Sequence, residues 1–589
     1  MNNDLEIESE ISIEVLSNDN SPFGNLQELS NNEGLFVYKF SYHESDNFIP
    51  KPLKIQMKFP ALDVKGVWKP TADFSKRIEA DWELQTLESR ISIDAPLMTL
   101  FGSDDGNRFT VACSDTVSKI EMSVKYREED DHFYATIYLF SEIQYPLNSY
   151  SIDLRFDFRP IPFYEAIKET VQWWEKNIGL TALEVPPIAL EPLYSSWYQF
   201  HQNLDESLLL RECEIAKQLG FNALIIDDGW QTKDNNRGYD FTGDWESKRF
   251  ENIASLVDKI HDIEMKVGLW FSVPFCGKKS KAYRRFKGKF LTENHRWAPV
   301  FDPRYPEVRD YLVETFTNAV KQWDLDGLKL DFIDDFKAYP DTCFDTDGKD
   351  TLSINTAVDK LLNAIVCKLK TIKSDIFIEF RQKYTGPSMR KYGNMLRAFD
   401  CPGDYTMNKV RITDIKLLSG NTAVHSDMVT WHEEEKLEVA ALHYINTLFG
   451  VPQISIFLNQ ANDDHLKMIK HYNDYWKKNR EVLHSENFVP ESPMENYPMQ
   501  RAKKNDKQII AVYADKWVLL DAKEQYVDIL NVKSTEKLVL VGTESILNYK
   551  YSIRNSKGDL CTQGELVVAH KGEVLTVPAG GMIQMERKV

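Results

Sequence analysis

Acidic residues stand at the ends of several apolar runs in the middle of this 589-residue chain. Ala223-Leu224-Ile225-Ile226 leads into Asp227-Asp228-Gly229-Trp230. Leu328-Lys329-Leu330-Asp331-Phe332 carries a cation and an acid two residues apart, which in a strand puts both side chains on one face. Glu379 and Arg381 repeat that spacing, Met395-Leu396-Arg397-Ala398-Phe399 leads into Asp400, and His425 and Asp427 follow another short run. A single acid behind a strand ordinarily caps the next helix or binds loop amides. Acids behind the second, fourth, sixth and seventh runs together point to one shared site. Converging carboxylates with no cluster of Cys or His suit glycoside hydrolysis or a hard-metal centre. Retaining hydrolysis needs one carboxylate as nucleophile and another as acid/base, about 5 Å apart. Lys329 is suited to keep Asp331 ionised, while Asp400 is the candidate to hold a proton, in a poorly solvated place near the nucleophile's charge. Asp334-Asp335 and the acids of 341–350 read as solvated loop charge.

The elements that must position these residues are eight apolar runs, beginning near Leu193, Ala223, Val267, Leu328, Ile376, Met395, Thr422 and Gln453. Helical patterns separate them. Asp205 caps the one that starts at Glu206 and Gly220 closes it, Pro303 leads into a segment reaching Trp323, and Asp463 into one through Trp476. Eight strand–helix units over about 290 residues match a (β/α)8 TIM barrel, whose chemistry lies at the C-terminal strand ends. No Gly-x-Gly-x-x-Gly follows the first run, which argues against a doubly wound sheet. Residues 1–170 alternate in short runs and read as an N-terminal β-sandwich, 171–190 as a linker, 191–485 as the barrel, and 486–589 as a C-terminal antiparallel β-sandwich.

With 90 acidic and 71 basic residues the chain carries a net charge of −19, which argues against nucleic acid as a partner. No stretch approaches the ~18 apolar residues of a membrane span. Residues 1–6 lack both the basic and the apolar region of a secretory signal. The seven cysteines form no Cys-x-x-Cys and fit reduced thiols in a cytoplasm.

The motifs resemble those of the α-galactosidases of glycoside hydrolase families 27 and 36, a clan of retaining barrel enzymes, with family 36 the nearer. Ile225-Ile226-Asp227-Asp228-Gly229-Trp230 looks like the clan's Asp-Asp-x-Trp strand end, and Leu328-Lys329-Leu330-Asp331-Phe332 like its Lys-x-Asp nucleophile strand. Met395-Leu396-Arg397-Ala398-Phe399-Asp400 looks like the acid/base strand in the Arg-Ala-Ser-Asp form of raffinose synthases. The resemblance implies Asp331 as nucleophile and Asp400 as acid/base, with Asp404 a rival for the second role. It implies Asp227, Asp228 and Lys329 as ligands of the donor sugar, and Arg397 as the residue that orients substrate or acid. Trp197 and Trp270 match positions where aromatics line the pocket, and Asp427 would contact substrate from strand seven. Glu379 and Arg381 stand where family 36 carries a Cys- and Gly-rich loop, so the donor pocket is a variant one.

The implied activity is release of terminal α-galactosyl residues from small oligosaccharides of the melibiose or raffinose type, without metal or organic cofactor. The enzyme would engage no membrane, and a homo-oligomer is compatible with the family. The alternatives are an α-galactosyl transferase of raffinose-synthase type, an α-N-acetylgalactosaminidase, and a metal-dependent barrel enzyme ligating through Asp227, Asp228, Asp331 and His425. A further alternative is a sugar-binding protein without turnover.

Overall fold

A computed structural model describes residues 11–17, 24–44, 48–61, 63–381, 383–543 and 546–588, so the stretch 1–6 read above for a leader lies outside it. Eight parallel strands occupy the middle of the chain: β1 (Leu193–Ser195), β2 (Ala223–Ile226), β3 (Lys266–Ser272), β4 (Gly327–Asp331), β5 (Phe377–Arg381), β6 (Met395–Arg397), β7 (Ala423–His425) and β8 (Gln453–Ile454). They pair in the order β7-β6-β5-β4-β3-β2-β1-β8, and the bridges His425↔Val451 and Val429↔Ile454 bring the ring to near closure. Strands covered by helices outside and filled inside must be apolar on both faces, so each of the eight apolar runs corresponds to one of them.

Register then sets the chemistry. Trp270 pairs with Lys329 and Ser272 with Asp331, Lys329 with Glu379, Arg381 with Arg397, and Arg397 with His425. Polar side chains of neighbouring strands therefore stand at matched heights inside the ring.

The surrounding helices begin where the local residues satisfy their free amides. Asp205 accepts from the Leu208 amide at 2.8 Å to start Glu206–Gln218, and Gly220 (φ +97°) takes the left-handed turn that ends it. The helix Asp463–Leu483 is capped by Asn462, one residue before the expected Asp463. None of the described helices is long and apolar enough to cross a membrane.

Before the barrel, two six-stranded sheets face each other over an aromatic core that includes Phe40, Phe59, Phe109, Phe133 and Phe156. The helix Phe163–Asn177 and a short 3₁₀ turn, Pro187–Leu190, lead into β1. After the barrel, a seven-stranded and a three-stranded sheet pack together. They are mostly antiparallel, but Lys507–Val512 runs parallel to Tyr526–Asn531, and Trp517–Leu520 parallel to Lys537–Gly542.

All three regions meet at one buried carboxylate. Asp414, on the helix Tyr405–Leu418, accepts from the indole of Trp68 at 2.9 Å and the hydroxyl of Tyr497 at 2.5 Å. Lys76 lies 3.9 Å from its other oxygen. Trp68 is fully buried, so Trp68→Ala removes a large packed side chain and leaves Asp414 short of a donor. The expected cost is about 3–5 kcal/mol, read as a lower urea midpoint; a change below about 1 kcal/mol would show that the junction does not hold the domains together.

Candidate active site

The C-terminal ends of β2 to β7 bring their charged side chains together. The Asp227 amide donates to the Ser196 hydroxyl at 2.9 Å and the Asp228 amide to Asp227 Oδ1 at 2.9 Å, which fixes the turn after β2. Gly229 has φ +126°, and a Cβ there would come within 2.6 Å of the Gln202 backbone, so only glycine passes this bend. Lys329 donates to Asp227 Oδ2 at 2.6 Å, with both side chains buried. The expectation that Lys329 serves Asp331 is thus corrected: the cation that meets Asp331 is Arg381, one strand away on β5.

Asp331 is held at both oxygens. Trp270 Nε1–H donates to Oδ2 at 2.8 Å, while Arg381 and the Phe332 amide (2.6 Å) donate to Oδ1. Phe332 takes a left-handed backbone (φ +63°), a strained placement in a site that already carries pairs of buried charges. Its ring lies 4.6 Å from the Arg381 guanidinium and 5.4 Å from the ring of Tyr239, which is 5.7 Å from that of Trp297. Trp197 opens the short helix Trp197–Phe200 and stands edge-on to His201, half-buried.

Arg397 is 1% exposed and faces three acids. It donates to Asp400 Oδ1 at 2.7 Å and to Asp427 Oδ1, and its Nε lies 3.5 Å from Glu379. Asp427 spends its other oxygen on the Tyr198 hydroxyl (2.9 Å) and the Cys401 amide (2.7 Å). Asp427 is therefore enclosed behind Arg397, where it holds the loop carrying Asp400, and presents no free oxygen. Burial pushes its carboxyl up to about 6 against the opposing charge of Arg397. Glu379, also buried, accepts from Gln453 at 2.5 Å, and burial raises it too. Asp404 does something else: it caps the helix Tyr405–Leu418, accepting from the Met407 amide at 2.8 Å on the exposed surface.

The protonation expected of Asp400 is not what its neighbours favour. Burial acts to raise its carboxyl, but Arg397, Arg381 and Lys329 outweigh burial and hold it well below the usual carboxylate range. Asp334, expected in solvent, is half-buried and accepts from Tyr384 at 3.1 Å; burial raises it. His425 has both ring nitrogens committed, one to the Ala189 carbonyl at 2.7 Å and the other to the Gln453 amide at 3.1 Å. With Lys329 on Asp227 as well, the set Asp227, Asp228, Asp331 and His425 does not converge as metal ligands. Among the described residues no group of three or more His, Cys, Asp or Glu side chains does.

Three polar residues here lay outside the sequence reading. Gln202 and Gln231 donate to Asp228 at 2.8 and 2.6 Å. Ser272 pairs with Asp331 across β3 and β4, two residues past Trp270, so strand alternation alone would have placed it on the inner face. Its hydroxyl and Arg381 Nη1 are buried without a hydrogen-bond partner, two unsatisfied donors in the neighbourhood of Asp331.

Residues 186–378 match the family Melibiase, a segment that contains Asp227, Asp228, Lys329 and Asp331. Over this segment and its surroundings the chain is similar to α-galactosidases. Alpha-galactosidase 2 of Pediococcus pentosaceus is 31% identical over 148 residues, which is 23% of this chain and 20% of that protein. Alpha-galactosidase Mel36A of Lactobacillus acidophilus is 27% identical over 152 residues, 24% and 20% of the two chains. The match thus spans about a fifth of the length of these relatives. The α-galactosidase of Lactobacillus brevis superposes with a TM-score of 0.64 at 13% identity, over 98% of this chain and 85% of that one. Family 36 AgaA of Geobacillus stearothermophilus, solved with raffinose, gives 0.64 at 14% identity, over 98% and 89%. The melibiase-like segment ends one residue before Glu379, so Glu379, Arg381, Arg397, Asp400 and Asp427 lie beyond it.

Burial pushes Asp228 up to about 7. A carboxyl raised on folding keeps a proton that the unfolded chain releases, so this group lowers stability as pH rises from about 4 to about 7. Asp228→Asn removes that dependence. Its stability relative to the parent should climb across the window by about 4 kcal/mol in urea melts at a series of pH values. A difference that stays flat with pH would mean that Asp228 is charged throughout.

Proposed function

We propose that the protein is a retaining exo-α-galactosidase acting on oligosaccharides of the melibiose and raffinose type. The observation that carries this reading is the pair Asp331 and Asp400, each bound by its own arginine, Arg381 and Arg397, which are neighbours in register across β5 and β6. The relatives' activity and the complexes of AgaA with raffinose and stachyose support the substrate class. Seven free cysteines support a reducing, cytoplasmic location.

In this reading Asp331 attacks the anomeric carbon while Asp400 passes a proton to the leaving oxygen. Water, relieved of a proton by Asp400, then releases galactose from the ester. Trp270 and the Phe332 amide aim the Asp331 carboxylate, and Ser272 and Arg381 offer hydrogen bonds beside it. Asp227, Asp228 and Lys329 take the donor-sugar hydroxyls, and Asp427 and Glu379 act by holding Arg397. A protein that binds galactose without turnover is the second reading, favoured by the direct ion pair of Asp331 with Arg381. Intact-mass detection of a covalent adduct after a fluorogalactoside probe separates the two.

Asp331→Asn should retain galactose affinity in calorimetry and lose turnover of p-nitrophenyl α-galactoside by a factor on the order of 10⁴ or more. Activity at the parent level would remove Asp331 from the nucleophile role. The pH profile tests Asp400 separately. Its acid form is scarce at neutral pH, so kcat/KM for melibiose, whose leaving group needs the proton, should rise as pH falls from about 7 to about 5. With p-nitrophenyl α-galactoside the same interval should be nearly flat. A melibiose profile already level at neutral pH would show that Asp400 is protonated there, or is not the acid.

A further inference from the structure

Phe399 immediately precedes Asp400 and is 36% exposed, whereas its other neighbour, Ala398, is buried and bonded to the His425 carbonyl at 2.9 Å. A lone exposed apolar side chain needs no explanation. This one is clamped. The Arg411 guanidinium lies 4.8 Å from the Phe399 ring centroid, covering one face of the ring. Arg411 also donates to the carbonyls of Phe399 (3.2 Å) and Asp400 (3.0 Å). It is itself held from the N-terminal domain by Asp73, with both oxygens engaged at 2.8 and 2.6 Å, and Asp73 takes a left-handed backbone (φ +52°) there. A bidentate pair fixes the plane of a guanidinium, so the ring stacked on it is fixed as well.

Proton transfer requires Asp400 to lie within hydrogen-bond reach of the glycosidic oxygen, so whatever departs with that oxygen lies against the Phe399–Asp400 step. We propose that the free face of Phe399 is the platform on which the leaving group stacks, and that Asp73, through Arg411, is the positioning residue that sets its angle. This rests on the α-galactosidase reading above. The ligand class is a group with a flat apolar face, the C–H face of a pyranose or an aryl ring. A compact polar leaving group would gain nothing from it.

Three donors separate stacking from proton transfer. α-Galactosyl fluoride offers nothing to stack and needs little acid, p-nitrophenyl α-galactoside stacks but needs little acid, and melibiose needs both. For Phe399→Ala, kcat/KM for p-nitrophenyl α-galactoside and for melibiose should both fall about ten-fold relative to the fluoride. Phe399→Trp should restore both ratios, and Asp73→Asn should move them in the same direction as Phe399→Ala. A fall for melibiose alone would show that the substitution acts through Asp400, and would overturn the platform. So would equal losses on all three donors, or no change in either ratio. Parent protein inert toward every donor would overturn the enzymatic reading and this inference with it.

Discussion

Burying a guanidinium costs several kcal/mol unless enough negative charge and enough acceptors surround it, and that constraint organises this site around Arg397. Its neighbours come from three strands: Glu379 from β5, Asp400 from the end of β6, and Asp427 from just past β7. Asp400 and Asp427 each accept from one of its terminal nitrogens, while Glu379 lies 3.5 Å from its Nε without a hydrogen bond. The loop after β6 is therefore tied to its own strand by Asp400 and to the next strand by Asp427, whose second oxygen also receives the Cys401 amide. Remove the cation and three buried or half-buried carboxylates lose their common partner at once. The position of Asp400 is a consequence of how Arg397 is satisfied.

Arg381 extends the same logic by one strand. It stands beside Arg397 in register, a like-charge contact that would be unfavourable if the two shared their counter-ions. Their direct ion pairs are separate, Arg381 with Asp331 and Arg397 with Asp400, although the charge of Arg381 also acts on Asp400. Two arginines in register on neighbouring strands thus each hold one carboxylate, Asp331 and Asp400. The same positive charge that holds Asp400 in place keeps it ionised, so placement and protonation oppose each other here. A substrate that excludes water changes the strength of both effects, and the leaving group decides how much the missing proton matters.

The barrel was legible because parallel strands covered on both faces can be little other than apolar runs, and eight such runs separated by capped helices leave few topologies. Asp331, Asp400 and the Asp227-Asp228 pair were legible because an acid at the end of such a run has few structural reasons to be there. What was hidden was partnership. Lys329 and Asp331 lie two residues apart on one strand, yet Lys329 reaches Asp227 on a strand about a hundred residues earlier, and Arg381 reaches Asp331 from fifty residues later. Strand alternation gives the face of a side chain but not its cross-strand partner, which depends on register and on which acid the long cation meets first. The same limit kept Asp427 ambiguous until both its oxygens were accounted for. Asp404 was ambiguous for a simpler reason: a cap and a catalytic acid share the same sequence signature behind a strand.

The family match ends within β5, in the middle of the site. The segment alike to Melibiase carries Asp227, Asp228, Lys329 and Asp331, which the proposed reading assigns to the donor sugar and the attack on it, and it ends in β5. The barrel residues around Asp400 lie after it, namely Arg397, Phe399, Asp427 and Arg411, while Asp73 reaches Arg411 from the N-terminal domain. A donor that must be galactose constrains its ligands tightly, because each hydroxyl needs a partner at a fixed distance and a lost partner leaves a buried group unpaired. A leaving group that varies among oligosaccharides imposes no such set of contacts, and stacking on a ring tolerates differences in the sugar that hydrogen bonds would not. In the proposed reading, the residues assigned to the galactosyl group lie mostly in the segment alike to Melibiase, and those that would meet the leaving group, Arg397, Phe399 and Asp400, lie beyond it.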